Sequence, residues 1–226
     1  MLQHVFERAS LSRYLTSMII ATDDNRIFEE ARRFGAPVRM TRADHPSGTD
    51  RVAEVSSAED AELVVNIQGD EPLIDPAAID AAVLPLVHDA SIDMGTLKKR
   101  IEDPREIDDP NVVKVVTSFD GNALYFSRSR IPYTRDPAPQ AAAAVPHFKH
   151  IGLYVYRRAF LLGYSELPVG PLEKAERLEQ LRALENGHPI RVVETGYESL
   201  GVDTPADLER VLRLFAAFPA TVNPYA

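Results

Sequence analysis

Short apolar runs alternate with amphipathic segments along the first hundred residues. Apolar positions at helical spacing predict helices over 2–15, 24–34 and 76–87, and another that begins near Thr49. Compact apolar runs bounded by turn-forming residues predict strands over 17–22, 37–40 and 63–67. Strands that alternate with helices through short loops indicate an α/β fold with a mostly parallel sheet and helices on both faces.

The rhythm changes after residue 111, where strand-like segments follow one another without helices between them. These strands are predicted over 112–117, 123–127 and 151–156. The Pro- and Ala-rich stretch 134–146 is typical of a loop or lid. Two long helices are predicted over 171–186 and 205–218, and Thr204 and Asp207 are spaced as a capping box for the second.

Polar clusters stand at the ends of the early strands. Asp23-Asp24 and the segments 41–51 and 68–72 each follow a predicted strand directly. Ligands of open α/β sheets bind at the carboxyl ends of the strands. We therefore expect these three clusters to face a ligand crevice.

The segment Gln68-Gly69-Asp70-Glu71-Pro72 allows two interpretations. A carboxylate just beyond a buried strand is a suitable ligand for Mg²⁺, which takes one or two such oxygens together with substrate phosphates. Gly-Asp and Glu-Pro are also common in plain turns. A second carboxylate that meets Asp70 would favour the metal site.

The segment 201–208 could supply that second carboxylate. Helix capping explains Thr204, Pro205 and Asp207 fully, since one cap suffices for a helix start. Asp203 is not needed for capping, so it remains free to join Asp70 at a metal ion.

Two further clusters present polar groups to a ligand. Ser47-Gly48-Thr49 precede a predicted helix and could offer backbone N–H groups and hydroxyls, although a simple helix cap is the commoner case. His150 and Tyr154 share one face of a strand, and with Arg128 nearby in the chain they could hold an anionic sugar. The alternative for that face is partial solvent exposure.

Composition excludes several classes of protein. The formal net charge of the 226 residues is −9, which argues against sequence-independent nucleic-acid binding. There is no cysteine, so disulfides and thiolate metal sites are excluded. We expect a cytoplasmic protein without a membrane span or signal peptide. Walker-type, G-x-G-x-x-G and G-x-S-x-G motifs are absent, so P-loop hydrolysis, hydride transfer and serine hydrolysis are unsupported.

Taken together, the motifs resemble one family, the 3-deoxy-manno-octulosonate (Kdo) cytidylyltransferases. The resemblance is carried in order by ATDD (21–24), TRADHPSGTDRVAE (41–54), NIQGDEP (66–72), NVVKVV (111–116), ALYFSRSRIPY (123–133), KHIGLYVYR (149–157), PLEKAERLEQLRALENG (171–187) and GVDTPADLERV (201–211). It implies a three-layer Rossmann-like nucleotidyltransferase fold, with 1–226 as a single domain. It also implies that about 111–160 form a small β-rich insertion for the sugar site and a homodimer contact.

The resemblance implies that the anomeric hydroxyl of Kdo attacks the α-phosphorus of CTP, giving CMP-Kdo for lipopolysaccharide synthesis and pyrophosphate. Asp70 and Asp203 would be the catalytic ligands of Mg²⁺. The cytidine site would be lined by Ser47, Gly48, Thr49, Arg51 and Gln68. The sugar acid would be held by Arg128, His150, Tyr154, Glu179 and Gln180. Periodicity alone places Glu179 and Gln180 on a solvated helix face.

The family opens with a strand and an Arg- and Lys-bearing loop that precede the helix beginning here at Met1. Without them the expected domain is N-terminally incomplete and CTP binding should be weakened. Two other hypotheses stay open. One is a truncated, non-catalytic homologue that binds the acid sugar or a partner subunit. The other is a cytidylyltransferase for a related acid sugar, such as 8-amino-Kdo or sialic acid.

Overall fold

The computed structural model of the protein describes residues 1–135 and 145–217. Its first half alternates helices and strands, with bounds α1 (Leu2–Ala9), β1 (Ile20–Thr22), α2 (Asn25–Arg33), β2 (Val38–Met40), α3 (Gly48–Ser57), β3 (Leu63–Asn66), α4 (Pro76–His88) and β4 (Met94–Arg100). The second half contains α5 (Arg105–Asp108), β5 (Lys114–Thr117), β6 (Ala123–Ser127), β7 (Phe148–Arg157), α6 (Arg158–Gly163), α7 (Pro171–Glu176), α8 (Leu181–Glu185), β8 (Ile190–Glu194) and α9 (Pro205–Ala217). A 3₁₀ turn over Tyr164–Glu166 follows α6.

Side-chain caps start three of the early helices where the sequence offers acceptors. Asp24 accepts from the Arg26 N–H at the start of α2, Ser47 caps α3 and Asp75 caps α4. Each cap satisfies a backbone donor that has no partner inside the helix. Since each of these residues follows β1, β2 or β3 along the chain, the caps also set how the helices leave the strand ends.

The sheet is mixed rather than mostly parallel. Strands β1 and β2 form a separate parallel pair, and the larger sheet has the order β6-β5-β7-β4-β8, with β3 also paired to β7. Strand β4 is parallel to β8, but β7 runs antiparallel to β3, β4 and β5. The segment 111–160, predicted to be an insertion, supplies β5, β6 and β7. Its longest strand therefore lies inside the main sheet.

Two buried clusters cover the two faces of the sheet. Along β7, Leu153 and Val155 pack on the face covered by α4, whereas Tyr156 packs on the opposite face with residues of α6 and α8. Strand β4 lies so close to α4 that a Cβ added at Gly95 would be only 2.7 Å from Leu86 Cδ1. The period-two alternation predicted for this strand is confirmed, and it makes the fold three-layered.

Other element boundaries differ from the expectation. Helix α1 ends at Ala9 rather than near residue 15, because buried Asp80 of α4 accepts hydrogen bonds from Ser12 and Arg13 and draws the chain out of the helix. Strands β4 and β8 were not predicted. In β4 the apolar start runs into Lys98, Lys99 and Arg100, which hides the strand, whereas the short β8 does carry apolar Ile190, Val192 and Val193. Both strands form through pairing within the sheet.

Residues 136–144 and 218–226 are not described. They include most of the predicted loop or lid over 134–146 and the last residue of the helix predicted over 205–218. No helix in the described part of the chain combines the length and apolarity needed to cross a membrane.

Candidate active site

Residues from both predicted binding groups line one cavity of about 160 Å³. From the predicted cytidine site it contains Gly48, Thr49 and Gln68, and from the predicted sugar site Tyr154, Glu179 and Gln180. Residues that sequence analysis did not select complete the wall: Asn66, Tyr156 and Tyr164. The cavity therefore lies where the N-terminus of α3 and the carboxyl end of β3 meet β7.

A larger, mostly apolar cleft of about 440 Å³ adjoins this cavity between β1 and β3. Gly48, Asn66 and Gln68 line both spaces, and Arg51 lines the cleft. The Arg51 guanidinium donates to Thr41 Oγ1 at 2.5 Å and pairs with Asp23 Oδ2 at 3.0 Å. These contacts join two of the three polar clusters that follow the strands, as expected for one ligand crevice.

The N-terminus of α3 is tied to the segment that carries Glu179. Ser47 Oγ lies 2.7 Å from Asp50 Oδ2 and 3.2 Å from Glu179 Oε1. Burial is the largest effect on Glu179 and raises its pKa. The predicted cytidine-binding and sugar-binding groups thus contact each other directly through Ser47 and Glu179.

Glu179 and Gln180 lie at the cavity because the helix is interrupted just before them. The predicted single helix over 171–186 is wrong: α7 ends at Glu176, and Arg177 adopts a left-handed backbone conformation with φ of 53°. The Tyr164 hydroxyl then donates to the Glu179 carbonyl at 2.8 Å, and α8 resumes at Leu181. In a continuous helix, these two side chains would have the solvated positions that periodicity suggested.

Glycine at position 177 is expected to leave the free energy of unfolding unchanged or to raise it by up to about 1 kcal/mol, because glycine adopts φ > 0 without a Cβ penalty. Valine at the same exposed position should lower it by about 2 kcal/mol. Urea denaturation of Arg177→Gly and Arg177→Val measures both. If the two variants were equally destabilised, the arginine side chain rather than the backbone would determine the break.

Tyrosine rings form one wall of the cavity. Tyr154 stacks on Tyr156 at 5.9 Å between centroids, and Tyr156 meets Tyr164 edge-on at 6.1 Å. Burial raises the pKa of Tyr154 and Tyr156 well above the ordinary value, so both phenols stay neutral at physiological pH. The wall therefore offers apolar faces and neutral hydroxyl groups to a ligand.

His150 lies beside this wall, and its hydrogen bonds define its tautomer. Thr96 Oγ1 lies 2.8 Å from the Leu153 carbonyl, 3.1 Å from the Ile151 carbonyl and 2.9 Å from His150 Nε2. Carbonyls only accept, so the single hydroxyl proton goes to one of them and His150 Nε2–H donates to the hydroxyl. Burial lowers the pKa of His150 to about 3. The neutral ring thus keeps Nδ1 as an acceptor.

The structure brings the Asp70 and Asp203 segments together. The Val202 N–H donates to the Asp70 carbonyl at 3.0 Å, and a Cβ added at Gly201 would lie 3.6 Å from Asp70 Oδ2. Asp70 is half-buried and Asp203 is exposed, so neither is enclosed in apolar packing. The two segments therefore lie in contact, and the meeting of the two carboxylates at one metal ion stays a prediction.

Helix capping does not use Asp203. Thr204 N–H and Oγ1 donate to Asp207 Oδ2 at 2.9 and 2.7 Å, and the Asp207 N–H returns a bond to Thr204 Oγ1. Residues 1–135 and 145–217 contain no group of three or more His, Asp or Glu placed to hold a metal ion. Two carboxylates fit a cation that also takes phosphate oxygens, as Mg²⁺ does.

Arg128, a predicted sugar ligand, does not line the cavity. Its guanidinium donates to the carbonyls of Pro110 and Glu176 at 2.9 and 2.8 Å. The backbone N–H of Arg128 donates to the Glu176 carboxylate. The buried Lys114 ammonium donates to the Arg128 carbonyl at 2.5 Å. These contacts fix Arg128 between β6 and α7, and its sugar-binding role stays a prediction.

Comparisons with known proteins identify the family. The chain belongs to the cytidylyltransferase family, whose model, described as "Cytidylyltransferase", matches residues 1–193. It is 75% identical over 96% of its length to a 3-deoxy-manno-octulosonate cytidylyltransferase of Solibacter usitatus, covering 84% of that protein. A protein of the same name from Geobacter metallireducens is 54% identical, over 96% of this chain and 88% of the relative.

A solved structure confirms the expected nucleotidyltransferase fold. CMP:2-keto-3-deoxy-manno-octonic acid synthetase complexed with CTP superposes with a TM-score of 0.88 and 42% identity, over 96% of this chain and 87% of that one. The family resemblance inferred from the motifs is confirmed by these matches.

Proposed function

We propose that this chain transfers CMP from CTP to the anomeric hydroxyl of Kdo, giving CMP-Kdo and pyrophosphate, with Asp70 and Asp203 as the ligands of Mg²⁺. The observation that carries the proposal is the shared cavity, where residues predicted to bind cytidine and residues predicted to bind the sugar line one space beside the Asp70 loop. The names of the most similar relatives support the same substrates.

The nucleotide end would be formed by α3 and the end of β3. The N-terminal N–H groups of α3 and the Thr49 hydroxyl are donors for an anionic or polar ligand. Asn66 and Gln68 each present an amide donor and an amide acceptor, the pair that discriminates one base edge from another. We propose that these amides read cytosine while Arg51 faces the adjoining cleft.

The sugar end would be formed by β7 and the 179–180 segment. Glu179 accepts from sugar hydroxyls, the Gln180 amide both donates and accepts, and the phenol of Tyr154 supplies a neutral hydroxyl. His150 contributes Nδ1 as an acceptor and not a positive charge. These groups orient the anomeric hydroxyl toward the α-phosphorus. One O–P bond forms there as the bond to the pyrophosphate oxygen breaks in line, and the proton of the hydroxyl is released to water.

Asp70 and Asp203 would hold Mg²⁺ at the border of the two ends. The bound ion would neutralise phosphate charge and assist the attacking oxygen. The chain supports this proposal by bringing the segment that precedes Asp203 into contact with Asp70.

We further propose a cytoplasmic homodimer with its contact in the β5–β6 hairpin. Phe119 and Leu124 of this hairpin are exposed, and an exposed apolar pair is suited to a contact between copies. A monomeric mass in sedimentation equilibrium would contradict the dimer.

Pyrophosphate release tests the proposed reaction. The purified chain with CTP, Kdo and Mg²⁺ is expected to release pyrophosphate, and omission of Kdo or chelation of the metal should abolish the release. A product that runs as CMP-Kdo identifies the acceptor.

Three other outcomes would contradict the proposal. Calorimetric binding of Kdo without CTP binding or turnover would indicate a non-catalytic homologue. Faster turnover of 8-amino-Kdo or sialic acid would indicate a related enzyme with another sugar. Release that is independent of divalent metal would exclude the proposed role of Asp70 and Asp203.

A further inference from the structure

Asp203 is carried by a segment that has no regular secondary structure of its own. Residues 195–203 follow β8 and precede α9 without helix or strand hydrogen bonding. Such a segment keeps a fixed course only where contacts from elsewhere hold it. The contacts that hold 195–203 therefore also determine where Asp203 lies relative to Asp70.

Glu71, the residue after Asp70, makes two of these contacts. The Tyr197 hydroxyl donates to Glu71 Oε2 at 2.9 Å, and the Ser199 hydroxyl donates to Glu71 Oε1 at 2.6 Å. Glu71 is only 8% exposed, so these bonds form away from bulk water. Both carboxylate oxygens are thus bonded to the segment that leads to Asp203.

A third contact runs between the same two segments through the backbone. The Val202 N–H donates to the Asp70 carbonyl. Val202 directly precedes Asp203, and Asp70 directly precedes Glu71. The backbone bond and the Glu71 side chain therefore fix the two chain segments at three points. The other side of 195–203 is held independently, since Glu198 pairs with Lys99 and with Lys149.

We propose that Glu71 is a positioning residue that holds the 195–203 segment against the Asp70 loop and thereby sets the spacing of the Asp70 and Asp203 carboxylates. The proposal deepens the proposed function and rests on it, since the spacing matters for the reaction only if both carboxylates bind the metal. Glu71 acts through its hydrogen bonds with two hydroxyl groups and not through its charge or as a metal ligand.

Glutamine and alanine variants separate geometry from charge. In Glu71→Gln the amide oxygen still accepts from one hydroxyl, and the amide N–H₂ can donate to the other, so both contacts survive without the charge. Glu71→Ala removes both, and the double variant Tyr197→Phe/Ser199→Ala removes both donors with little change in packing. Asp80→Ala is the matched control, because Asp80 is also a buried carboxylate that joins distant segments but lies away from the site.

Amide hydrogen exchange of 195–203 is the readout that needs neither metal nor turnover. We expect exchange in this segment to be at least about 10-fold faster in Glu71→Ala and in the double variant, close to wild type in Glu71→Gln, and unchanged in Asp80→Ala. The Mg²⁺ concentration for half-maximal pyrophosphate release should rise about 10-fold in the first two variants and stay near wild type in Glu71→Gln, as is usual when groups that orient metal ligands are lost.

Two results would overturn the proposal. Unchanged exchange of 195–203 in the double variant would show that Glu71 does not hold the segment. Equal loss of activity in Glu71→Gln and Glu71→Ala would show that its charge is required. If instead the wild type showed no Mg²⁺ dependence, the proposed function would fail, while the exchange measurement would still decide what Glu71 holds.

Discussion

Asparagine in place of Asp70 or Asp203 is expected to lower kcat/KM by about 10²–10³-fold, the scale found when one preorganised electrostatic contact to a transition state is removed. The substitution keeps the size of the side chain and removes one negative charge. Because the two chain segments meet at the Val202–Asp70 bond, each carboxylate would supply part of the same metal site. The required Mg²⁺ concentration should rise in both variants.

Steady-state kinetics over a range of Mg²⁺ concentrations measures the effect. Asp60→Asn is a suitable control, since Asp60 is an exposed carboxylate just before β3, at the end of that strand opposite to Gln68 and Asp70. The double variant Asp70→Asn/Asp203→Asn should be little worse than either single variant, because residues that act as one unit are not additive. Wild-type kcat/KM in either single variant would contradict the shared metal site.

The position of the ligand crevice could be predicted because the local sequence signals and the general topology of α/β sheets both indicate the carboxyl ends of the strands. Gln68 and Asp70 follow a strongly apolar strand, and Ser47 is a recognisable helix cap, so both could be located at strand ends before any contact was known. Asp203 stood out because the neighbouring Thr204 and Asp207 already explain the helix start. The structure confirms that capping pair and brings Asp203 next to the Asp70 loop.

The structural features that could not be predicted from the sequence depend on contacts between residues far apart in the chain. The helix break at Arg177 carries no local signal, since arginine is a good helix former and rarely adopts positive φ. The hydroxyl of Tyr164, another residue of the cavity wall, donates to the Glu179 carbonyl just after this break, a contact between residues 15 positions apart in the chain. The antiparallel pairing of β7 likewise depends on how the chain returns through the sheet, whereas the apolar pattern of a strand is the same in either direction.

The wild-type protein is expected to lose about 2 kcal/mol of folding free energy between pH 7 and pH 5 through His150 alone. Burial lowers the pKa of this imidazole from 6.5 to about 3. Below pH 6.5 the unfolded chain therefore binds a proton that the folded chain does not, and stability falls by up to about 1.4 kcal/mol per pH unit. The loss starts as the pH falls below 6.5 and continues to about pH 3.

Urea denaturation of wild type and His150→Gln at pH 7 and pH 5 isolates this contribution. The glutamine amide can still donate to Thr96 Oγ1 but does not titrate, so the variant should be less stable at pH 7 and lose less stability on acidification. His88→Gln is the matched control, because it makes the same substitution at an exposed histidine at the end of α4 that lacks the contact with Thr96. Equal slopes for wild type and His150→Gln would mean that the imidazole binds its proton equally well in the folded and the unfolded chain. The ring would then gain a positive charge only as the pH falls below about 6.5, and the neutral acceptor role of Nδ1 would be limited to higher pH.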